Sequence, residues 1–419
     1  MPLTAIMLGA GNRGFDVYGK FALEHPEQLK FVAVADADPA KRTRFGNAHN
    51  IPLEFRFSSW EAAIQSGRAS TAFICLPDAL HETAAIKTLE AGFHLMLEKP
   101  VASNLKGTLR VSKAARDSEK VVMLGYVLRF TPFFQTIRQI VQSGQLGEVV
   151  TISWRENVSS LHMAHSFVRG NWGNTGCSST MILAKCSHDL DLLGWLTGKS
   201  ISSLSSFGNL QYFKLGNAPE GSPERCLDGC PAEDSCIYHA AKIYLTDNTE
   251  WPTSTISADP SISARKHVLE TTNYGRCVYR MDNDVVDNQV VAFNFEGGGT
   301  GTLTMHGLSA QEGRTIRIDG TKASLRAVFN DGLHEIKLEP HGLGGRGELI
   351  EILESATAGG RHGGGDDGLT AAFVQAVQNQ QPEPISSYLE SHILAFAIEQ
   401  SRLEHSVVNL AEFKSKLEF

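Results

Sequence analysis

The chain lacks an excess of basic residues, a long apolar run and a basic segment at its amino terminus. Of its 419 residues, 38 are Lys or Arg and 46 are Asp or Glu, a formal net charge of −8, which excludes the basic surface that nucleic-acid binding requires. No apolar run approaches the roughly 20 residues of a membrane-spanning helix. Residues 1–10 carry no basic leader and run directly into a predicted strand. We therefore expect a cytoplasmic protein of about two or three domains that binds neither nucleic acid nor membrane.

Cysteine is scarce, and its distribution is uneven. In a reducing compartment the seven cysteines are expected to be thiols or metal ligands rather than disulfides. Cys226, Cys230 and Cys236 form a C-x3-C-x5-C pattern inside a Pro-, Gly- and Asp-rich insertion at about 214–280. A tetrahedral zinc site needs a fourth ligand, for which Cys277 is the first choice and His239 the alternative. The pattern predicts structural zinc, while free thiols, an iron–sulfur cluster and a disulfide stay open.

A glycine-rich turn, GAGNRG, follows a short apolar run at the start of the chain. In a strand–turn–helix context, Gly9 permits the tight turn, Gly11 lets the backbone approach a pyrophosphate, and Gly14 lets helix and strand pack closely. The free N–H groups of the following helix then face the phosphates. The pattern predicts a dinucleotide site that includes Asn12 and Arg13, although a similar turn also occurs in other α/β proteins.

An acidic residue follows the second apolar run at the spacing that such a site requires. Asp36 lies 22 residues after Gly14, where a carboxylate accepts hydrogen bonds from the adenosine ribose and repels a 2′-phosphate. Ala37 follows, with no arginine directly beside the acid. NAD is therefore predicted as the cofactor, while Arg42 and Arg44 leave NADP open as the less favoured choice.

Strand-like and helix-like runs alternate as far as residue 126, which predicts an α/β fold with a doubly wound parallel sheet. Ligands of such sheets bind beyond the carboxyl ends of the strands. Five residues lie at or just after the ends of the predicted strands 71–76 and 94–97: Leu76, Pro77, His81, Glu98 and Lys99. A lysine fixed at such a strand end can hydrogen-bond a substrate hydroxyl and assist its deprotonation, although Lys-Pro also marks ordinary surface turns.

In this order and spacing, GAGNRG, VADAD, CLPDALH and EKP resemble the Gfo/Idh/MocA family, which includes glucose–fructose oxidoreductase and inositol dehydrogenase. The resemblance implies a Rossmann domain over 1–126 and a C-terminal α+β domain over 127–419 with a large open, mostly antiparallel sheet. It also implies oxidation or reduction of a sugar or polyol with NAD(P), with Lys99 as the catalytic lysine. One face of the sheet is expected to form a subunit interface, in a homo-oligomer such as a dimer or tetramer.

The second half contributes a loop and a helix to the predicted site. Trp172, in the glycine- and asparagine-rich loop 168–174, either shields the cofactor or anchors packing. Residues 180–196 predict one continuous helix, on which Ala184, His188, Asp191 and Trp195 share a face. The resemblance assigns His188 to act with the lysine. Many dehydrogenases of the family carry an aspartate where this chain has Ala184, and Lys185, about 100° around the helix, does not replace it.

Four strand-like runs at 285–295, 300–306, 315–319 and 323–328 predict an antiparallel meander, with a helix returning at 388–405. Before a further helix at 369–378, the turn RHGGGDD offers Asp366 or Asp367 as an N-cap; alternatively, His362 and Asp366 line the site. Together with Lys99 and His188, the residues Arg129, Asp191 and His362 form the predicted substrate side.

Three functions follow from these features. The favoured hypothesis is an NAD-dependent oxidoreductase acting on a sugar, sugar derivative or cyclitol. The absent aspartate and the HGGGDD turn motivate a second, an NAD-retaining glycosidase or lyase that oxidises its sugar transiently. The third is a non-catalytic NAD or sugar sensor.

Overall fold

The amino-terminal half is organised around a six-stranded parallel sheet, which confirms the predicted doubly wound fold. The computed structural model describes residues 1–330, 332–342, 348–351, 363–381 and 385–417. In the order β3-β2-β1-β4-β5-β6, the strands are β1 (Leu3–Leu8), β2 (Leu29–Ala35), β3 (Arg56–Phe57), β4 (Thr71–Ile74), β5 (His94–Leu97) and β6 (Val122–Leu124). All four residues of β4 are buried, as expected for a strand covered by helices on both faces.

Five α-helices and a π-helical segment connect these strands. The helices are α1 (Lys20–Glu24), α2 (Pro39–Ala48), α3 (Trp60–Gln65), α4 (Asp78–Glu90) and α5 (Leu105–Ser118), and the π-helical segment is Gly14–Gly19. The strand order reverses between β1 and β4, so the loops after β1, β4 and β5 meet at one edge of the sheet. Open α/β sheets bind their ligands at this switch point.

The second sheet has nine strands in the order β14-β13-β12-β11-β7-β10-β9-β8-β15. The strands are β7 (Val149–Ser159), β8 (Ile201–Asn209), β9 (Asn288–Phe295), β10 (Thr300–Ser309), β11 (Gly313–Gly320), β12 (Ala323–Asn330), β13 (Leu333–Pro340), β14 (Glu348–Glu351) and β15 (Val408–Asn409). Buried and exposed residues alternate along β9, as in a sheet with one covered face. The predicted antiparallel sheet is confirmed, but it is not a simple meander. The much earlier strand β7 inserts between β10 and β11 and runs parallel to β10.

The described part of the second half contains ten α-helices, some of which pack against this sheet or against the first domain. They are α6 (Pro132–Gln142), α7 (Ser160–His162), α8 (Met181–Ala184), α9 (Ser187–Thr197), α10 (Ala240–Tyr244), α11 (Thr253–Ile256), α12 (Ile262–Thr271), α13 (Gly365–Gln378), α14 (Ser386–Glu404) and α15 (Leu410–Ser415). Helix α14 is the predicted returning helix, and it packs against α5, α9 and β8.

The structure describes every residue of the chain between β8 and β9. This stretch adds no strand to either sheet and forms short helices and turns instead. The predicted insertion at about 214–280 falls within it. The predicted domain boundary between residues 126 and 127 stays a prediction. Among the residues described, no helix is long and apolar enough to span a bilayer.

Candidate active site

The glycine turn after β1 is closed toward the sheet and open on its other side. Gly9 has a φ of +94°, and a Cβ there would stand 2.4 Å from the carbonyl oxygen of Cys75. A Cβ on Gly14 would stand 2.1 Å from the Gly9 oxygen, whereas a Cβ on Gly11 would meet nothing within 4 Å. The turn therefore fits the close backbone approach of a pyrophosphate at Gly11.

Asp36 closes the same turn from the end of β2. Its carboxylate accepts two backbone N–H groups, one of them from Ala10 at 2.8 Å. Because a carboxylate accepts about four hydrogen bonds, Asp36 keeps capacity for a ribose diol. Of the two arginines that left NADP open, Arg42 donates to the Asp36 backbone oxygen at 2.5 Å, while Arg44 donates to Asp16 at 3.2 Å. Arg42 thus lies at the predicted ribose site and Arg44 is held on the Asp16 side.

The Arg13 guanidinium joins the glycine turn to two distant segments. Its Nε donates to Glu98 at 2.6 Å and its Nη1 to Asp366 at 2.8 Å, and both carboxylates are buried. Burial opposes the charge, but Asp366 and Glu98 hold the pKa of Arg13 well above its usual value. The neighbouring Asn12 donates to Asp16 at 2.8 Å. Arg13 and Glu98 therefore bind each other, and their predicted contacts with the cofactor stay predictions.

His81 connects the loop after β4 to the loop after β5. Its buried ring has Nε2 2.8 Å from the carbonyl oxygen of Leu76 and Nδ1 2.6 Å from that of Pro100. Pro77 caps α4 in this loop. The structure thus brings Leu76, Pro77 and His81 together at the carboxyl edge of the sheet, with His81 in a bracing position.

Lys99 follows β5, and its ammonium group reaches the second half of the chain. Nζ donates to the carbonyl oxygen of Ala184 at 2.6 Å. Burial lowers the pKa of Lys99, although the carboxylates of Asp78 and Glu98 oppose this shift. The nearby Lys185 ammonium adds to the lowering. Lys99 is therefore a cation that gives up its proton more readily than an exposed lysine.

The continuous helix predicted at 180–196 is wrong, because the chain breaks between α8 and α9. Lys185 and Cys186 form the break, so Ala184 does not share one unbroken helical stripe with His188. Ala184 ends α8, and its carbonyl is one of the terminal groups that a helix leaves without an internal partner. Lys99 supplies that partner. Position 184 therefore contributes a backbone oxygen to the site in place of the expected carboxylate.

His188 lies in the first turn of α9 and is 8% exposed. Its ring meets the edge of Tyr126, with centroids 5.5 Å apart. The Tyr126 hydroxyl bonds Ser391 at 2.7 Å and His392 Nδ1 at 3.1 Å on α14. His392 Nε2 accepts the backbone N–H of Val101 at 2.9 Å, directly after the Lys99–Pro100 pair. Helix α14 thus carries a buried polar chain that runs behind both predicted catalytic residues.

Sequence reasoning missed a second histidine near the Lys99 ammonium. His162 Nδ1 lies 3.0 Å from Glu312 Oε1, and since a carboxylate only accepts, the ring must donate this hydrogen bond. Burial lowers the pKa of His162, and Lys185 and Lys99 lower it further. A neutral His162 that donates through Nδ1 has its lone pair on Nε2. This is the arrangement of an oriented general base.

Lys185 takes part in a buried ionic network behind His162. Its ammonium lies 2.7 Å from Glu312 and 3.2 Å from Glu156. Arg314 Nη2 contacts Glu156 at 2.7 Å, and Arg314 Nε contacts Asp189 at 2.7 Å. Although burial opposes it, the Lys185 cation holds the pKa of Glu312 well below its usual value. The network links β7, β11 and α9 and holds Lys185 and Glu312 beside His162, close enough for Lys185 to act electrostatically on Lys99.

Arg129 and Asp191, both predicted to contact substrate, are paired with each other. Arg129 Nε donates to Asp191 at 2.7 Å and Nη2 donates at 2.5 Å, a bidentate geometry. Both side chains are buried, and the guanidinium also lies over the ring of Tyr388. The structure therefore places the pair as a brace between the 3-10 turn Val127–Phe130 and α9, and its contact with substrate stays a prediction.

Trp172 reaches the first domain, as a residue that covers the cofactor should. Its indole N–H donates to Asp78 at 2.9 Å, and Ser178 donates to the same oxygen at 3.0 Å. Asp78 begins α4 and acts electrostatically on Lys99. The loop is thus attached beside the Lys99 ammonium, and Trp172 remains a predicted cofactor contact.

The HGGGDD turn differs from the N-cap interpretation of the sequence. Helix α13 begins at Gly365 with Gly364 as its N-cap, so neither Asp366 nor Asp367 caps it. Asp366 binds Arg13 instead of supplying an acid beside Lys99. A Cβ on Gly365 would stand 2.4 Å from the carbonyl oxygen of Val127, which explains this glycine by close packing. His362 lies outside the described residues.

The four cysteines of the predicted zinc site line one small cavity, with His239 and Arg169. However, no three His, Cys, Asp or Glu side chains within the described ranges are placed so as to hold a metal ion. The described residues therefore offer no arrangement of ligands that supports the predicted zinc site.

Two family models match the chain. The model described as the oxidoreductase family, NAD-binding Rossmann fold, matches residues 3–126, and the model for the family's C-terminal alpha/beta domain matches residues 138–387. The chain belongs to the Gfo/Idh/MocA oxidoreductase family. This membership makes the protein an NAD(P)-dependent oxidoreductase that acts on CH–OH groups.

Several known proteins are similar to this chain. YteT of Bacillus subtilis is 23% identical over 381 residues, which cover 86% of each chain. An inositol 2-dehydrogenase of Corynebacterium glutamicum is 26% identical over 199 residues, 47% of this chain and 55% of that enzyme. Levoglucosan dehydrogenase, solved with NADH and levoglucosan, superposes with a TM-score of 0.70 at 16% identity, covering 98% of this chain and 100% of its own. At such identity the structural match shows the shared fold.

Proposed function

We propose that the protein transfers a hydride between NAD and a hydroxyl-bearing carbon of a sugar, sugar derivative or cyclitol. The observation that carries this proposal is Lys99, a partly buried ammonium at the switch-point edge of the parallel sheet. It is held by the Ala184 carbonyl, and burial lowers its pKa. An ammonium in this state hydrogen-bonds a hydroxyl oxygen and stabilises the negative charge that develops there on deprotonation.

The glycine turn and Asp36 would hold the dinucleotide. Gly11 leaves open space for the pyrophosphate, and the free acceptor capacity of Asp36 suits the 2′- and 3′-hydroxyls of NAD. A 2′-phosphate would meet the Asp36 carboxylate, although Arg42 lies beside it, so NAD is favoured over NADP. When bound, the nicotinamide supplies the hydride acceptor, or the donor in the reverse direction.

Two histidines are available for the proton of the substrate hydroxyl. His188, the residue that the sequence favours, lies against Tyr126 behind the site. His162 is neutral, oriented by Glu312 and electrostatically coupled to Lys99. We propose that Lys99 polarises the hydroxyl and that His188 accepts or relays the proton, with His162 as a further acceptor that replaces the carboxylate missing at position 184.

One observation favours a second candidate, an NAD-retaining glycosidase or lyase. Three buried aspartates on α9 and α13 are paired with arginines: Asp189 with Arg314, Asp191 with Arg129 and Asp366 with Arg13. The site therefore departs from the lysine–aspartate–histidine arrangement of simple dehydrogenases. In this alternative, the hydride would return to the same sugar after elimination.

Net NADH production separates the two candidates. The purified protein is assayed with a panel of aldoses, polyols, cyclitols and glycosides, with NAD added, and NADH absorbance is read beside product analysis. One NADH per product molecule supports the dehydrogenase and excludes the recycling mechanism. Glycoside cleavage without NADH accumulation supports the recycling enzyme. Tight NAD binding with no turnover on any member of the panel would overturn both and favour the sensor.

We also propose a homo-oligomer, a dimer or tetramer, built on the outer face of the second sheet. Phe207 on β8 and Val290 on β9 are cross-strand partners and are 62% and 38% exposed. Exposed apolar pairs on a sheet face are typical of interaction surfaces. Light scattering of wild type and Phe207→Lys tests this: the variant should have the lower mass, and a monomeric wild type would exclude the proposal.

A further inference from the structure

The segment of residues 170–180 leads from the π-helical segment Met163–Arg169 into α8. Its sequence, GNWGNTGCSST, forms turns without a helix or a strand. A stretch without a regular backbone ladder depends on contacts with its surroundings for its position. The side chains that hold this segment therefore decide where α8 begins.

Asp78 attaches the segment to the Rossmann domain. The indole N–H of Trp172 donates to Asp78 Oδ2 at 2.9 Å, and the Ser178 hydroxyl donates to the same oxygen at 3.0 Å. Asp78 is the first residue of α4 and follows Pro77 at the carboxyl edge of the parallel sheet. A single carboxylate oxygen thus holds the segment at two separate points.

A second aspartate holds the middle of the segment from the other half of the chain. The backbone N–H and the hydroxyl of Thr175 donate to the two carboxylate oxygens of Asp284, both at 2.7 Å. Asp284 is exposed and lies shortly before β9. The segment is therefore held by two aspartates, of which Asp78 is partly buried beside Lys99 and Asp284 faces solvent.

The contacts of Asp78 continue through α8 to the Lys99 ammonium. Ser178 is buried and lies shortly before α8, whose last residue is Ala184. The Ala184 carbonyl accepts the hydrogen bond from Lys99 Nζ at 2.6 Å. Asp78 and Lys99 themselves follow the paired neighbouring strands β4 and β5. The contacts thus form a closed ring, in which the position of the Ala184 carbonyl depends on the attachment at Asp78.

The charge of Asp78 also acts on Lys99. Burial lowers the pKa of Lys99, and among the groups that oppose this shift Asp78 acts most strongly, ahead of Glu98. The two side chains, both of which the structure describes, form no direct ion pair. The other ionisable groups that interact electrostatically with Lys99 are Glu98, Lys185, Arg13, His162 and His392.

We propose that Asp78 is a positioning residue for Lys99 in the hydride transfer proposed above, on which this inference rests. Its carboxylate attaches the segment 170–180 and thereby places the Ala184 carbonyl, and its negative charge favours the ammonium form of Lys99. The carboxylate that position 184 lacks is thus supplied from the Rossmann domain, where it acts on the lysine instead of on the substrate.

The electrostatic role is tested with Asp78→Asn, which keeps an oxygen that can accept from Trp172 and Ser178 but removes the charge. Acetylation of Lys99 by limiting acetic anhydride, read by mass spectrometry as a function of pH, reports the protonation of the amine, because only the uncharged amine reacts. The midpoint of this curve should move to lower pH, with Lys99 reacting several-fold faster than in the wild type below the midpoint. An unchanged or higher midpoint would overturn the electrostatic role.

Asp284→Asn is the matched control for this measurement. It removes the charge of an exposed aspartate that holds the same segment, and it should leave the midpoint of Lys99 acetylation unchanged. A shift as large as that of Asp78→Asn would show that the effect travels through the segment, and would contradict a direct action of the Asp78 charge on Lys99.

The attachment role is tested with Asp78→Ala, which removes the accepting oxygen as well. Hydrogen exchange should be several-fold faster at the backbone amides of residues 170–184 in Asp78→Ala than in the wild type or Asp78→Asn. Peptides from β1 and β5 report whether the fold is intact. Exchange at the wild-type rate in Asp78→Ala would overturn the attachment.

Both measurements use the full-length protein without turnover, so they are independent of the proposed function. If no sugar is oxidised, the proposed function fails while these outcomes still decide the role of Asp78. In an active enzyme, Asp78→Asn should also move the high-pH limb of kcat/KM to lower pH, because the ammonium is the form that polarises the hydroxyl. An active enzyme whose high-pH limb does not move would contradict this inference alone.

Discussion

The two walls of the candidate site hold their charges in different ways. On the Rossmann side, the Lys99 ammonium donates to a neutral carbonyl, and burial lowers its pKa. On the side of the second sheet, Lys185 is in contact with two carboxylates, Glu156 and Glu312, which raise its pKa against the effect of burial. The pKa values of two neighbouring lysines are therefore shifted in opposite directions.

This difference distinguishes a residue that takes part in proton transfer from residues that hold the site in place. A proton leaves Lys99 more readily because burial disfavours the charged form more than Asp78 and Glu98 stabilise it, which suits a group that assists proton transfer. Lys185 is fixed in its charged form by its partners and orients Glu312, which in turn orients His162. On the Rossmann side, Lys99 can change its protonation state. On the side of the second sheet, the network around Lys185 keeps the surrounding geometry constant.

The strongest test of the contrast is to remove the Lys99 ammonium. Lys99→Met should lower kcat by about 10²–10⁴-fold with little change in NAD affinity or thermal stability, because Lys99 has no ion-pair partner within the described residues. Steady-state kinetics and NAD titration measure this. Lys106→Met, an exposed change on α5, is the control and should have wild-type kcat. A Lys99→Met variant that keeps full turnover would remove Lys99 from the mechanism.

The opposite result is expected on the supporting wall. Arg314→Met leaves Glu156 and Asp189 buried without this cation, and breaking one partner of a buried ion pair costs about 3–5 kcal/mol of folding free energy. Urea unfolding measures the loss. Arg317→Met, on the same strand but in a solvent-exposed pair with Asp319, should change stability little. Equal stability of the two variants would show that the network is not a structural support.

Residues in local motifs could be predicted from the sequence, and residues brought in by distant pairing could not. Gly9, Gly11 and Lys99 follow strands at fixed places in a fold whose strand–helix alternation is visible in the sequence. His162 gives no such signal, because it ends α7 after an unusually long β7. Its partner Glu312 comes from the turn between β10 and β11, and only the insertion of β7 between these strands brings the two together.

The break between α8 and α9 shows the same limit of sequence-based prediction within a single short segment. The segment TMILAKCSHDLDLLGWL contains no proline, and its single glycine is far from the break, so propensity favours one helix. Tertiary interactions override that preference. Lys185 turns toward Glu156 and Glu312, and the end of α8 gives its Ala184 carbonyl to Lys99. Neither interaction can be inferred from the periodicity of the segment alone.

His162 tests whether the supporting wall also takes part in proton transfer. His162→Gln should lower kcat/KM by about 10²-fold if the ring accepts the proton. Because its pKa is lowered, the wild type should keep its activity below the usual histidine pKa of about 6.5, and a pH profile of kcat/KM reports this. His267→Gln, an exposed change on α12, is the control. An unchanged kcat/KM in His162→Gln would leave His188 as the sole base.

The smallest effect on stability is expected from His392, a residue of α14 that lies behind Lys99. Burial lowers its pKa to about 4, against about 6.5 in an unfolded chain, so between these values the unfolded state binds more protons. Stability should therefore fall as the pH drops from 6.5 to 4, with His392 contributing up to about 1.4 kcal/mol per pH unit.

The contribution of His392 has to be separated from those of other histidines. The pKa values of His49 and His165 are lowered in the same direction, so the pH dependence of the wild type alone does not isolate His392. The difference in urea-unfolding free energy between wild type and His392→Gln across this range isolates it, with His267→Gln as control. Parallel curves for wild type and His392→Gln would mean that His392 is not held neutral in the fold.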